Sequence, residues 1–67
     1  MIRKLSREYN PSPFVEEIHK YEVGGDILSI YKYYEGTWVI KYNNDVESIS
    51  EELAKDLIIL FDRFSRW

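Results

Sequence analysis

Cysteine is absent from the chain, and only one histidine, two prolines and three glycines occur in its 67 residues. Without cysteine no disulfide can brace the fold, and a single histidine cannot build a Cys/His zinc cluster. Stability must come from the core, and a chain of this length buries only about 60% of the surface its unfolded form exposes. Long apolar runs are missing too. The longest, Leu57-Ile58-Ile59-Leu60-Phe61, falls far short of the ~20 residues that span a bilayer. The N-terminus has basic residues but no apolar h-region, so no signal peptide is expected. These absences predict one small soluble domain, cytoplasmic, with no membrane association and no cofactor.

What is present is apolar and aromatic. Hydrophobic residues make up 45% of the chain and aromatics 16%, too apolar a balance for a disordered segment. Twelve acidic and nine basic residues give a net charge of -3, which argues against a nucleic-acid module, because phosphate binding rests on cations. The charge is unevenly placed. Residues 1–8 carry Arg3, Lys4 and Arg7 against Glu8 alone, whereas Asp45, Glu47, Glu51, Glu52 and Asp56 face only Lys55.

The residues needed for catalysis are sparse. His19 is the one histidine, no serine sits in a G-x-S-x-G elbow, and Gly24-Gly25 reads as a turn rather than a phosphate loop. Asn43-Asn44-Asp45-Val46-Glu47 lacks the spacing of a calcium-binding EF-hand loop. The acidic segment reads more simply as a turn followed by a helix start, where the helix dipole favours anions. The chain is therefore expected not to be an enzyme and to hold no metal.

The pattern of apolar residues predicts an α+β domain. Residues 1–13 read as an N-terminal arm, since Pro11 and Pro13 interrupt both helix and sheet, and residues 14–67 as the compact domain. Residues 14–23 favour a strand leading into Gly24-Gly25, with a short helix capped by Ser12 as the alternative. Residues 26–34 and 37–42 are the strongest strands, and 46–49 an optional further one, giving a small antiparallel sheet of three to four strands. A C-terminal helix over 51–65 is expected, capped by Ser48 or Ser50.

Two hairpin registers are open around Glu35-Gly36. A two-residue loop sets Tyr33 against Trp38 and Tyr31 against Ile40. A three-residue loop with a bulge at Gly36 groups Trp38, Ile40 and Tyr42 with Leu28 and Ile30 instead. In either register Trp38, Ile40 and Tyr42 form the core face. Strand 26–34 is apolar on both sides, so a lone helix leaves some of its side chains uncovered. The helix shows the same surplus. Leu53, Ala54, Leu57, Ile58, Leu60, Phe61, Phe64 and Trp67 span an arc of roughly 180°, wider than one core-facing stripe, and Ile59 lies outside it.

That surplus points to a second burial partner. The expected function is a small protein-binding module, an inhibitor or regulator that occupies another protein's surface through Tyr31, Tyr33, Tyr34, Ile59 and Trp67. In a variant of this reading, the acidic patch of Asp45, Glu47, Glu51, Glu52 and Asp56 imitates nucleic-acid phosphates. In size, acidity and α+β outline the chain resembles the small host-takeover proteins that phages encode, including inhibitors of host defence. Two alternatives stand beside this reading. One is a single-stranded nucleic-acid binder that stacks bases on Tyr31, Tyr33, Tyr34 and Tyr42, with Arg3, Lys4 and Arg7 on phosphates. The other is a homodimer whose interface completes the core.

Overall fold

Alternating apolar and polar residues, broken by short turns, run through the first two thirds of the chain and give way to a helical period near Ser50. The structure, a computed structural model, describes residues 1–66. Five strands follow one another: β1 (Ile2–Tyr9), β2 (Val15–Val23), β3 (Asp26–Tyr33), β4 (Trp38–Tyr42) and β5 (Asp45–Ile49). They pair antiparallel as a meander. Helix α1 (Glu51–Phe64) then crosses one face of the sheet, and the two-residue β6 (Ser65–Arg66) pairs parallel to the start of β1. The sheet order is β5-β4-β3-β2-β1-β6. The α+β class with a C-terminal helix is as the sequence predicts, but the sheet is larger than three to four strands.

The additional strand is β1. Residues 2–9, read from the sequence as part of an arm, instead pair with β2 from Ile2 opposite Val23 to Tyr9 opposite Glu17. Leu5 is an extra residue in that ladder, because Lys4 pairs with Tyr21 and Ser6 with Lys20. Such a bulge shifts the inward positions by one, so Ile2, Lys4 and Arg7 all fall on the helix side. Residues 15–23 are strand, as favoured. Ser12 caps no helix; its hydroxyl accepts from the Phe14 and Val15 amides, at 3.3 and 3.1 Å, in the turn that feeds β2.

The turns set the register. Gly24 and Gly25, at φ 59° and 89°, make the two-residue turn that joins Val23 to Asp26, with the positive angles a type I′ hairpin requires. Between β3 and β4 the loop is Tyr34-Glu35-Gly36. The Gly36 amide donates to the Tyr33 carbonyl at 2.9 Å, and Gly36 has φ 97°. This is the bulged three-residue loop, and it rejects the two-residue alternative: Ile30 opposes Ile40 and Leu28 opposes Tyr42. Ser50, not Ser48, caps α1, its hydroxyl accepting from the Leu53 amide at 3.0 Å, while Ser48 lies within β5.

The core lies between α1 and the face so defined. Tyr21, Leu28, Ile30, Trp38 and Ala54 are buried, with Ile2, Val23, Ile40, Tyr42, Ile49, Leu57, Ile58 and Phe61 packed around them. Ala54 allows the helix to approach closely, and the Phe61 ring tilts against Tyr21 at 5.2 Å. Each buried Leu or Ile of this kind contributes about 1.5–3 kcal/mol, so this small set carries most of the hydrophobic stabilisation.

Candidate functional site

Two surfaces of the sheet differ in kind, and each holds a candidate site. The helix side carries a network of charged groups. Asp62, on the inner side of α1, receives Lys4 Nζ at 2.8 Å and both carboxylate oxygens bond Arg7 Nη2, at 2.8 and 2.6 Å. The Tyr21 hydroxyl donates to Asp62 Oδ1 at 2.8 Å. Burial pushes the Asp62 carboxyl up, but these donors more than offset it and hold the carboxyl down at about 2. Burial, reinforced by the bond to Asp62, pushes the Tyr21 phenol up to about 12.

The network continues across β2. Arg7 Nε donates to His19 Nδ1 at 2.9 Å, so the ring proton sits on Nε2, which lies 2.9 Å from Glu17 Oε1. Burial lowers the imidazole below its ordinary 6.5, with the Arg7 charge adding to the effect. Both ring nitrogens are thereby occupied, leaving no lone pair for a substrate proton. Beyond them Lys32 bonds Glu16 at 2.6 Å and lies 5.7 Å from the centre of the Trp38 ring. Tyr9, His19, Trp38, Ile58 and Ile59 help line an open groove of about 460 Å³ beside α1. Among the described residues no three His, Cys, Asp or Glu side chains come together as a metal site, and no helix is long and apolar enough to cross a membrane.

The opposite face is built differently. Register aligns Glu8, Ile18, Tyr31, Val39 and Ser48 in one row across the five strands. The next row is Ser6, Lys20, Ser29, Lys41 and Val46, and Ile27 stands beyond it. Tyr33 pairs with Val15 at the other end. No described element covers this face; Ile27 and Val46 remain 55% and 59% exposed, although both are large apolar side chains on a sheet. Lys20 and Lys41 form no ion pair among the described residues, and together with Ile27, Ser29, Tyr31 and Asn43 they line a shallow depression of about 290 Å³.

Of the anchors read from the sequence, Tyr31 and Tyr33 share this open face. Tyr34 sits in the adjoining loop, half exposed, with its hydroxyl donating to Asn10 Oδ1 and its neighbour Phe14 largely exposed. Ile59 is not with them: it projects from α1, on the other side of the sheet, at the rim of the groove. Trp67 lies outside the described residues. The acidic residues occupy two consecutive elements, Asp45 and Glu47 on the edge strand β5 and Glu51, Glu52 and Asp56 on α1, all exposed. Glu51 is bridged by Lys55 at 3.1 Å.

The basic segment at the N-terminus has a different use from the one the sequence suggested. Lys4 and Arg7 point inward to Asp62, so two of the three cations assigned to phosphate binding serve the helix side. Sequence reasoning missed Ile18 and Lys20 as companions of Tyr31, and left open whether Val39 and Lys41 share its face. Their signal was the period-2 alternation of β2 and β4, which becomes informative only once the register is known. Comparison of the chain with protein-family models, with curated proteins and with solved structures finds no match.

Proposed function

We propose that the chain is a small non-enzymatic protein-binding module, an inhibitor or regulator that occupies a partner protein's surface with the open face of its sheet. The observation that carries this reading is the row Ile18, Tyr31 and Val39, continued by Tyr33 and Val15 on one side and by Val46 at the edge strand, on a face that no described element covers. Isolated exposed apolar residues are ordinary, but a contiguous set across adjacent strands marks an interaction surface. Tyrosine suits the role, since it offers a large contact area at low entropic cost and is enriched at interface anchors. A non-enzymatic role is supported by the commitment of both His19 nitrogens to Arg7 and Glu17.

The test is affinity capture from the cell that carries the chain, with variants on the two sides compared. Tyr33→Ala and Val39→Thr should stay folded by circular dichroism and lose a stoichiometric partner. Ile59→Asp, on the other side of the sheet, should keep it. Capture that is indifferent to Tyr33→Ala and Val39→Thr contradicts the assignment of the face.

A second reading rests on Tyr31 and Tyr33 sharing a face with Lys20 and Lys41, a pattern that also suits stacked bases. A salt titration with labelled single strands decides it: no binding at low salt removes this reading.

A further inference from the structure

The bonds of His19 commit its buried ring to the neutral state. Nδ1 accepts from Arg7 Nε at 2.9 Å, and Nε2 donates to Glu17 Oε1 at 2.9 Å. A protonated imidazole carries a hydrogen on both nitrogens and has no lone pair to offer. The bond to Glu17 survives that change and gains charge. The bond to Arg7 becomes two cationic N–H groups pointed at one another, so one of them must move. The ring is the fixed member: it is buried, it sits opposite Ile30 in the ladder, and Glu17 holds it. The Arg7 side chain is 26% exposed and lines the open groove beside α1, so it has room to leave.

We infer that His19 is a proton-operated latch on Arg7: a proton taken up at Nδ1 turns the guanidinium away from Asp62 and into the groove while the fold persists. The groups around the ring from each packed element fit this. From β1, Arg7 meets Nδ1 and Tyr9 stands edge-on at 6.4 Å. On β2, Glu17 takes Nε2, and the Tyr21 hydroxyl lies beyond Arg7. From β3, Lys32 shares the groove but is held by Glu16 at 2.6 Å, with Glu17 at 3.9 Å. From α1, Lys55 lines the same groove and is bridged to Glu51, and Asp62 stands behind Arg7. Asp62 does not depend on Arg7 alone. It keeps Lys4 Nζ and the Tyr21 hydroxyl, each at 2.8 Å, so α1 stays tied to β1 and β2 after the guanidinium leaves. Burial and the Arg7 charge lower the imidazole below its ordinary 6.5, so the latch opens only below that pH. The groove then presents a released guanidinium, on the side of the sheet away from the face proposed for partner binding. The latch goes beyond that reading and does not rest on it.

A pH titration of the whole nitrogen-labelled chain by NMR tests this, following the His19 ring nitrogens and the Arg7 Nε–H together. The chain has one histidine, so the ring signals are unambiguous. At neutral pH the ring should carry its proton on Nε2, and the Arg7 Nε–H should be protected from exchange. As pH falls, both ring nitrogens should become protonated with a midpoint below 6.5. The Arg7 Nε–H should lose its protection at that same midpoint, while the backbone amides of β3 keep theirs. Glu17→Gln removes the carboxylate that favours the imidazolium and should lower the midpoint by about one pH unit. His19→Gln offers an oxygen that can accept from Arg7 Nε and does not titrate, so Arg7 should stay protected through the same range. An Arg7 Nε–H that remains protected while His19 takes up its proton overturns the inference. So does a ring that stays neutral until the β3 amides lose protection, since His19 would then respond only to unfolding.

Discussion

The two faces of one sheet handle charge and apolar area differently. On the helix side Lys4, Arg7, His19 and Glu17 are drawn inward around Asp62, while on the other side Ile27 and Val46 stand exposed and Tyr31 and Tyr33 are only half-buried. Folding a small chain usually buries apolar groups and leaves charge outside. Here the covered face satisfies its buried charges with partners on other elements, and the open face retains apolar area that folding leaves unburied. The difference teaches which residues hold the fold and which remain open for the proposed association.

Breaking the covered face should have the largest effect. Asp62→Ala removes the carboxylate that Lys4, the Arg7 guanidinium and the Tyr21 hydroxyl share, and removing one partner of a largely buried ion pair costs up to about 3–5 kcal/mol. That is a large share of the stability of a 67-residue chain, so urea unfolding should show a much lower midpoint or an unfolded variant. Replacing Lys4, Arg7 and Asp62 together by apolar residues of similar size should recover most of the loss. Tyr21→Phe removes a single donor to the same carboxylate and should cost about 1.5–3 kcal/mol, the range for hydrogen bonds to charged groups.

Acidity sharpens the comparison by acting on the covered face alone. His19 is held neutral below its ordinary 6.5 in the folded chain. The unfolded chain therefore takes up the proton first, and stability is full above that pH and declines as pH falls below it. Asp62, held at about 2, contributes stability that is present above the ordinary carboxylate range and is lost as pH falls toward 2. Urea midpoints measured from pH 8 to pH 2 should thus show two declines. His19→Gln should flatten the upper one and leave the lower in place.

How much of this was legible in the sequence follows the same division. The apolar alternation of β3 and β4 and the helical period after Ser50 were plain, because those elements bury aliphatic and aromatic groups. So was the grouping of Trp38, Ile40 and Tyr42, which holds in any register, and the apolar surplus itself. β1 was hidden for a physical reason. Its inward positions include Lys4 and Arg7, whose partner Asp62 lies more than fifty residues away, so the strand shows no apolar period until the tertiary pairing is known. The hairpin register turned on one glycine at positive φ, and with it the identity of the open face. Ile59 and Tyr31 look alike as surplus apolar residues in the sequence; only the fold separates them onto opposite sides.

The central claim, that one face holds the fold and the other is for association, can be tested on two adjacent residues of β3. Ile30 is fully buried on the helix side, and Tyr31 faces the opposite way. Urea unfolding of Ile30→Ala and Tyr31→Thr, measured side by side, should show a loss of about 2–5 kcal/mol for the first and less than about 1 kcal/mol for the second, whose replacement keeps a strand-favouring residue. Equal losses at the two positions would contradict the account, since Tyr31 would then be as much a part of the core as Ile30.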